Sequence, residues 1–166
     1  MGHLRKLTPV PNHSITRKTW PELSTDELFA FLRLRTQVFF VEQRIDEEEL
    51  DDRDPDPRTE HLWIEDERGV AAYLRLVLLD EPEHRGARRL PGRVVVRADR
   101  RGEGLAKELL RYVIELHGHE PLLLHSQSYV APLYASLGFE PFGEEYVEAG
   151  IPHISMYRAG RSDATG

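Results

Sequence analysis

The feature that most constrains the fold is a short apolar strand that leads through a glycine-bearing turn into a helix. Val94-Val95-Val96 is β-branched throughout, which is typical of a central strand buried on both faces of its sheet. The turn Arg101-Gly102-Glu103-Gly104-Leu105-Ala106 follows. Apolar residues then recur at helical spacing, at Leu105, Leu109, Val113 and Leu116. A chain with this element must surround the strand with further strands and cover both faces with helices.

The first half of the chain predicts a strand, a helix and a hairpin. A strand is expected over residues 14–20. Ser24-Thr25-Asp26-Glu27 has the capping-box pattern of a helix start, and apolar residues continue at helical spacing up to Glu42. The acidic, proline-containing stretch 44–60 is expected to be an irregular loop with at most one helical turn. Arg68-Gly69 then indicates a hairpin between two strands.

The second half adds a buried strand, a short helix and a final pair of strands. Leu122-Leu123-Leu124 predicts the strand, and residues 129–137 predict a short helix that ends at Gly138. Residues 139–147 and 153–157 predict an antiparallel pair. The element order β-α-β-β-β-α-β-α-β-β therefore predicts one α+β domain built on a central mixed, mostly antiparallel sheet flanked by helices.

Length and composition set the class of protein. A chain of 166 residues with 40% hydrophobic residues suits a single domain, which we expect over residues 14–159. Residues 1–13 are expected to form a flexible lead-in, and residues 160–166 a flexible tail. The net charge of -7 argues against nucleic acid or an anionic membrane as a partner, because both require a basic surface.

Several kinds of site and location are also disfavoured. The chain has no cysteine, which excludes disulfides, thiolate nucleophiles and cysteine-type zinc sites and fits a reducing cytoplasm. The start of the chain does not resemble a secretory signal. The apolar stretches are far shorter than the roughly 20 residues of a membrane-spanning helix. The histidines are too widely spaced to predict a metal site.

The turn before the second long helix is suited to binding an anion. The first amides of a helix have no partner within the helix and lie at the positive end of its dipole. Gly102 and Gly104 would let the backbone approach a pyrophosphate, and Arg101 could add a charged hydrogen bond. The turn lacks the Gly-Lys-Ser/Thr ending of a Walker loop and the third glycine of a dinucleotide fold.

Several motifs together resemble the GNAT superfamily of acyltransferases. Its Gln/Arg-x-x-Gly-x-Gly/Ala phosphate motif is met by Arg101, Gly104 and Ala106. Its later Tyr-x-x-x-Gly-Phe element is met by Tyr134, Gly138 and Phe139. Three further stretches resemble the ElaA-type branch, namely residues 34–43, 50–54 and 150–156. Three positions depart from the usual pattern: Asp52 replaces Gly, Ala98 replaces Pro, and Gln127 replaces Asn.

This resemblance implies acetyl-CoA as co-substrate, with no metal. The strand Val94-Val95-Val96 would be splayed from its neighbour and would bind the pantetheine arm, and a backbone N–H near Val96 would polarise the thioester. The loop from Arg101 to Ala106 would hold the pyrophosphate, with Gln127 also at the cofactor. Tyr134 would lie near the sulfur and assist the departing thiolate.

The resemblance leaves the acceptor side more open. His153 is the first choice for the general base, with a solvent chain as an alternative; His61, His125 and Glu42 are weaker candidates. Glu42, Asp51 and Asp54 would attract and orient an ammonium group, and His125 would lie at the substrate. The implied acceptor is a primary amine of a small molecule or a peptide.

The predicted activity is N-acetyl transfer by a monomer or a homodimer. Two alternatives stay open. The first is a non-catalytic acyl-CoA-binding or sensing domain that keeps the phosphate loop. The second is another acyl-CoA reaction on the same fold, such as autoinducer-like synthesis, which the early Leu-Arg-x-x-Val-Phe stretch faintly resembles.

Overall fold

The computed structural model describes residues 13–161, so most of the expected lead-in and tail lies outside the described residues. The seven strands are β1 (Thr16–Thr19), β2 (Glu60–Asp66), β3 (Gly69–Leu78), β4 (Arg89–Val96), β5 (Leu122–Gln127), β6 (Glu140–Glu148) and β7 (Ile151–Arg158). The α-helices are α1 (Thr25–Thr36), α2 (Leu105–His117) and α3 (Ala131–Ala135). Single 3₁₀ turns lie at Trp20–Glu22, Ala98–Arg100 and Ser128–Val130, and a π-helical turn lies at Gln37–Glu42.

The strands form one mixed sheet in the order β1-β2-β3-β4-β5-β7-β6. Only β4 and β5 are parallel, and the other neighbours are antiparallel. The predicted α+β architecture, with its element order and mostly antiparallel sheet, is therefore confirmed. The hairpin at Arg68-Gly69 joins β2 to β3 as predicted.

The sheet opens between β4 and β5. These strands pair only at Arg89 and Leu122, whereas β4 stays paired with β3 as far as Val96. The predicted splay at Val94–Val96 is therefore present. The expectation that this strand is buried on both faces is wrong for Val94 and Val96, which are half-buried because they border the opening; Val95 is buried.

Helices cover the two faces of the sheet. The capping box of α1 is confirmed, because Ser24 Oγ accepts from the Glu27 N–H at 3.1 Å and Glu27 Oε1 accepts from the Ser24 N–H at 2.9 Å. Phe31 and Leu34 of α1 pack against one face. Leu105, Leu109, Leu110 and Val113 of α2 pack against the other.

Two predicted segments differ in detail. The helix expected over residues 129–137 is a 3₁₀ turn followed by the short α3, and Gly138 ends it with a φ of +92°. Residues 44–59, all of which the structure describes, contain turns and bends but no helical turn. We call residues 44–59 the acidic loop. The π-helical turn that precedes this loop lines the opening of the sheet with Val38, Phe39 and Glu42.

Candidate active site

The glycine-bearing turn gives α2 an open N-terminus. Gly102 and Gly104 have φ values of +81° and +80°, a left-handed conformation that glycine adopts without strain. Gly104 is the N-cap of α2 and has no side chain to accept from the first amides. A Cβ on either glycine would meet no atom within 4 Å. Within residues 13–161, the first turn of α2 therefore presents free amides and open space to an anion.

The charged residues of this turn are paired around it. Arg101 donates to Glu42 Oε2 at 2.7 Å and to the Val96 carbonyl at 3.2 Å. Glu103 accepts from Arg100 at 2.8 Å, so its negative charge is partly neutralised beside the anion site. Leu105 is buried in the core and offers only its backbone there. Because Arg101 pairs with Glu42, the end of the π-helical turn lies beside the glycine-bearing turn.

The edge of β4 that faces the opening carries backbone groups suited to an extended ligand. Arg97 N–H donates to the Ala71 carbonyl of β3 at 2.8 Å, and Val95 stands opposite Tyr73. Because N–H groups alternate between the two edges of a strand, those of Val94 and Val96 point to the opening. A pantetheine arm could pair there as an additional strand would.

A groove of about 590 Å³ runs along this edge. One wall is the strand from Pro91 to Val96, and the other is Leu124 to Gln127 of β5. Arg101 and Ala106 lie at its α2 end. Gln127 donates to Gln43 Oε1 at 3.0 Å, which ties β5 to the end of the π-helical turn across the groove. We call this space the donor groove.

Tyr134 lines the donor groove and is only 6% exposed. Burial raises the pKa of Tyr134, with a smaller contribution from Tyr129, so the phenol stays protonated at neutral pH. Its ring packs edge-on against Phe139 at a centroid distance of 6.1 Å. A neutral hydroxyl in this place can donate a hydrogen bond to a ligand atom, but complete proton transfer from it is disfavoured.

A second cavity of about 370 Å³ lies under the acidic loop. Its rim carries carboxylates from the loop and from β6, namely Glu47, Glu48, Glu49, Asp51 and Glu148. Phe39, Gly92, Leu124, Gln127 and His153 line both this cavity and the donor groove. We call it the acceptor cavity, because it meets the donor groove where β4 and β5 separate.

His153 stands on the wall that the two cavities share. Its Nδ1 lies 2.7 Å from the Ile151 carbonyl, which can only accept, so the ring donates from Nδ1–H. In the neutral ring, Nε2 then carries the lone pair. Glu148 Oε2 lies 4.0 Å from Nε2. Tyr146 stacks on the ring at 5.7 Å and limits its rotation.

The two other candidate histidines are committed to other contacts. His125 lines both cavities, but its Nε2 faces Glu83 at 3.1 Å and its Nδ1 faces the Ser155 hydroxyl at 2.8 Å. His61 is fully buried between the Tyr73 hydroxyl at 2.7 Å and the Asp54 carbonyl at 3.0 Å. Burial lowers the pKa of His61. Of the three rings, only that of His153 lies on the shared wall with a nitrogen, Nε2, that has no hydrogen-bond partner among residues 13–161.

Buried ion pairs hold the acidic loop against the sheet. Asp54 is 2% exposed and accepts from Arg35 at 2.7 and 3.2 Å and from Arg75 at 3.0 Å. Arg75 also donates to Asp51 at 2.7 and 2.9 Å, and Arg35 contacts Glu49. Asp51 therefore lies on the rim of the acceptor cavity, whereas Asp54 lies beneath it.

Arg93 joins this cluster from β4. It has a φ of +50°, at the irregularity where the pairing of β3 and β4 shifts register. Its guanidinium donates to the Glu49 carbonyl at 3.2 and 3.0 Å. We call the resulting set of three arginines and three carboxylates the buried cluster, although only Arg35, Arg75 and Asp54 are fully buried and the other three members are half-buried: Arg35, Arg75, Arg93, Glu49, Asp51 and Asp54. It connects the acidic loop with the edge of the donor groove.

Comparison with known proteins identifies the family. A model of the acetyltransferase (GNAT) domain matches residues 33–159. The chain belongs to the GNAT family of acyltransferases. It is 36% identical over 148 residues to a UPF0039 protein of Mycobacterium tuberculosis, which covers 87% of this chain and 92% of that protein. The predicted GNAT and ElaA-type resemblance is confirmed.

Solved GNAT structures have the same fold. An acyl-CoA N-acyltransferase from Pseudomonas aeruginosa is 37% identical, with a TM-score of 0.77 over 89% of this chain and 99% of that chain. Escherichia coli ElaA is 32% identical, with a TM-score of 0.79 over 88% of this chain and 99% of its own. The family and fold make this chain an acyl-CoA-dependent acyltransferase. In residues 13–161, no helix has the length and apolarity to cross a membrane.

The GNAT motifs locate the donor side of the site better than the acceptor side. The donor groove is lined by several of the predicted residues, namely Val94, Val95, Val96, Arg101, Ala106, Gln127, Tyr134 and His153, whereas residues 102–105 form the turn at its α2 end. Glu42 lies beside Arg101, and Asp54 lies in the buried cluster. Sequence reasoning did not find Gly92, Arg93 or Glu148. Gly92 and Arg93 directly follow a stretch that the sequence predicts to be a polar connection. Glu148 resembles an ordinary solvent-exposed residue of the last hairpin.

Proposed function

We propose that the protein is an acetyl-CoA-dependent N-acetyltransferase that acts on a primary amine of a small molecule or a peptide. The observation that carries the proposal is the junction of the donor groove and the acceptor cavity, with Nε2 of His153 available on their shared wall. Direct transfer needs both substrates to meet at a base, and this junction supports such an encounter.

In this proposal the donor lies along the opening of the sheet. The pyrophosphate binds the α2 amides through the turn of Arg101, Gly102, Glu103, Gly104, Leu105 and Ala106. The pantetheine arm pairs with the edge formed by Val94, Val95 and Val96, and Gln127 borders the thioester. An N–H group of this edge donates a hydrogen bond to the thioester oxygen and thereby stabilises the negative charge that develops there in the transition state.

The acceptor enters from the acidic rim. Glu47, Glu48 and Glu148 are exposed carboxylates at the cavity, and Asp51 adds a charge that Arg75 already pairs. Such a rim favours cationic acceptors over neutral or anionic ones. Glu42 and Asp54 contribute to substrate binding indirectly. Glu42 pairs with Arg101 of the phosphate-binding turn, and Asp54 holds the acidic loop in place. His125 contributes by lining the cavity wall.

In the proposed reaction, His153 accepts the proton of the amine and Tyr134 assists the departing thiolate. The ammonium first loses one proton to solvent. The neutral amine then attacks the thioester carbon, forming the C–N bond, and its N–H proton passes to Nε2 of His153. Collapse of the tetrahedral intermediate breaks the C–S bond and expels the CoA thiolate. The Tyr134 hydroxyl donates a hydrogen bond to the sulfur, whose thiolate has an ordinary pKa near 8.5. The thiolate takes up a proton through solvent, and His153 returns its proton to solvent.

The experiment combines donor binding with turnover. Thermal shift with acetyl-CoA should show stabilisation of about 2.7 kcal/mol at a hundredfold excess over Kd. Thiol release is then followed across a library of amines and peptides. Stabilisation without thiol release for any acceptor would support the sensing domain instead. No stabilisation by CoA compounds would refute the donor site.

The role of His153 is tested by His153→Asn, which keeps a donor to the Ile151 carbonyl and removes Nε2. We expect kcat to fall about 10²–10⁴-fold, the usual contribution of general acid–base catalysis, with the acetyl-CoA Kd unchanged. His119→Asn, in the exposed turn between α2 and β5, is the matched control and should keep wild-type turnover. A kcat for His153→Asn within about threefold of the control would assign the proton transfer to solvent.

Location and assembly belong to the same proposal. The absence of cysteine supports a reducing compartment, and we propose the cytoplasm. The protein would act as a monomer or a homodimer, without nucleic acid as a partner. Size-exclusion chromatography with light scattering distinguishes the two assemblies.

A further inference from the structure

A row of three hydrogen-bonded side chains lies beside the acceptor cavity, whose wall includes His125. The Ser155 hydroxyl lies 2.8 Å from Nδ1 of His125, and Nε2 of His125 lies 3.1 Å from Oε1 of Glu83. A carboxylate can only accept a hydrogen bond, so in the neutral ring Nε2 carries the proton and Nδ1 carries the lone pair. The Ser155 hydroxyl therefore donates to a ring nitrogen that can remove its proton. We call these three residues the serine row.

The members of the serine row come from three separate segments, each of which is held in place. His125 of β5 stands opposite Ser155 of β7 in the antiparallel pairing of these strands. Glu83 comes from the connection between β3 and β4. The next residue of this connection, His84, stacks on Phe142 of β6 with ring centroids 3.9 Å apart. The sheet and this stacking therefore fix the order of hydroxyl, imidazole and carboxylate.

The serine row is open to a substrate. Ser155 is half-buried, and the side chains of His125 and Glu83 are 33% and 43% exposed. Ser155 follows His153 by two residues on the same strand, so both side chains lie on the same face of the sheet. An acyl compound can therefore approach the Ser155 hydroxyl from the side of the acceptor cavity or directly from solvent.

The strand next to Ser155 offers backbone groups that suit a developing oxyanion. Phe142 of β6 stands opposite Ser155, and Tyr146 stands opposite His153. Residues 143–145 therefore occupy a place where β7 supplies only Ile154, and such an irregularity leaves backbone groups outside the ladder. Gly143 has a φ of +71°, and a Cβ there would meet no atom of the described chain within 4 Å. A carbonyl oxygen can approach these N–H groups without a clash.

The serine row has the three parts of a nucleophilic triad, in which a base activates a hydroxyl and a carboxylate fixes the tautomer of the base. We propose that Ser155 is a nucleophile that takes short acyl groups from esters or thioesters, which gives this chain a hydrolase activity besides acyl transfer to amines. This activity requires neither an amine nor His153. It therefore goes beyond the proposed function and can be tested separately from it.

The proposed reaction is hydrolysis in two steps. The Ser155 hydroxyl gives its proton to Nδ1 of His125 while its oxygen forms a C–O bond to the acyl carbon. The bond to the alkoxide, phenolate or thiolate then breaks, and the leaving group takes the proton from Nδ1. In the second step, water gives a proton to Nδ1 while its oxygen attacks the acyl-serine, and the C–O bond to Ser155 breaks as the proton returns to the serine. The products are a carboxylic acid and an alcohol, phenol or thiol.

The experiment uses the full chain with p-nitrophenyl acetate, without CoA or an amine. We expect the release of p-nitrophenol to slow about 10²-fold or more in Ser155→Ala and in His125→Asn, because each variant lacks the nucleophile or its base. Glu83→Gln should slow it about tenfold or more, because the imidazole loses the carboxylate that fixes its tautomer. Ser136→Ala, an exposed serine at the end of α3, is the matched control and should keep the wild-type rate.

A fluorophosphonate probe gives a second measurement that does not depend on turnover. The probe forms a stable bond with an activated serine, and mass spectrometry of the digested chain locates the modified residue. We expect Ser155 to be labelled in the wild type and to be labelled far more slowly in His125→Asn. The thermal unfolding transition of each variant shows that it is folded.

Two results would overturn the proposal: an unlabelled Ser155 in the wild type, or an ester hydrolysis rate that Ser155→Ala leaves unchanged. A parallel assay with acetyl-CoA identifies the source of the acyl group. Thiol release that requires Ser155 in the absence of an amine would show that the serine takes the acyl group of the CoA thioester, whereas hydrolysis of p-nitrophenyl acetate alone would restrict the activity to esters. Labelling of Ser155 without acetylation of any amine would support the serine row and contradict the proposed transferase activity.

Discussion

Replacing Asp54 by asparagine tests whether buried charges hold the acidic loop in place. The carboxylate accepts two hydrogen bonds from Arg35, one from Arg75 and one from the Asp51 N–H at 3.2 Å. Asparagine keeps the size of the side chain but removes its charge and one acceptor. The guanidinium of Arg35, which is 0% exposed, then keeps only Glu49 as an anionic partner.

The expected loss of stability is large for a single substitution. Removing one partner of a buried ion pair typically costs about 3–5 kcal/mol, because the remaining charge stays buried without compensation. At about 2–4 °C per kcal/mol for a chain of this size, Tm should fall by about 6–20 °C. Urea unfolding at pH 7 measures the free energy. Asp52→Asn, an exposed position in the same loop, should change stability by at most about 0.5 kcal/mol.

The same variant predicts a pH dependence. Burial alone would raise the pKa of Asp54, but the hydrogen bonds and charge of Arg35, together with the charge of Arg75, outweigh it and lower the pKa. A lowered pKa stabilises the folded state when the group is ionised, so the contribution is complete above the unfolded pKa of about 3.9. It is lost as the pH falls through the lower folded pKa.

The difference in the free energy of unfolding between wild type and Asp54→Asn should therefore be constant from about pH 5 to about pH 8, which lies about one pH unit or more above the unfolded pKa, and should shrink below about pH 4. The pKa of Asp51 is lowered for the same reason. Burial alone would raise it, but the hydrogen bonds and charge of Arg75 outweigh burial and hold the pKa of Asp51 at about 2. A loss of less than about 1 kcal/mol at pH 7, or a difference that does not shrink in acid, would refute the argument that this cluster anchors the loop.

Two further predictions concern the donor groove. Tyr134→Phe keeps the packing against Phe139 and should lower kcat about 10–100-fold by removing a hydrogen bond to the leaving sulfur, with the acetyl-CoA Kd unchanged; unaltered turnover in the thiol-release assay would remove this role. Glu42→Gln releases Arg101 from a half-exposed ion pair worth at most about 1 kcal/mol, so the KM for acetyl-CoA should fall by up to about fivefold. A rise in the KM for the amine instead would assign Glu42 to acceptor binding.

The parts of the fold that the sequence predicts are those specified by local signals. The capping box at Ser24, the hairpin at Arg68-Gly69 and the stop at Gly138 each depend on a few neighbouring residues. The insertion of β7 between β5 and β6 depends on pairing between distant segments, which no local pattern specifies. The start of β4 was missed because Pro91 and Gly92 are typical of a loop.

The acceptor side of the site was harder to predict for a similar reason. The density of acidic residues in the loop is compatible with a solvated surface, with an acceptor wall and with buried ion pairs. These three possibilities differ in whether arginines from distant parts of the chain lie beside the loop. Arg35 lies 19 residues before Asp54, and Arg75 lies 21 residues after it. Spacing in the sequence does not reveal that the sheet brings them together.

The buried cluster also explains how an acidic rim can lie beside a phosphate site without general repulsion between the loop and the sheet. Its three arginines offset Glu49, Asp51 and Asp54, so the charge left facing the acceptor comes from exposed residues such as Glu47 and Glu148. Arg93 belongs both to this cluster and to the strand that borders the donor groove. A change that loosens the loop should therefore displace the edge of β4 as well, and weaken donor binding together with acceptor binding. Asp54→Asn should accordingly raise KM for both substrates, whereas a substitution confined to the rim, such as Glu47→Gln, should raise it for the amine alone.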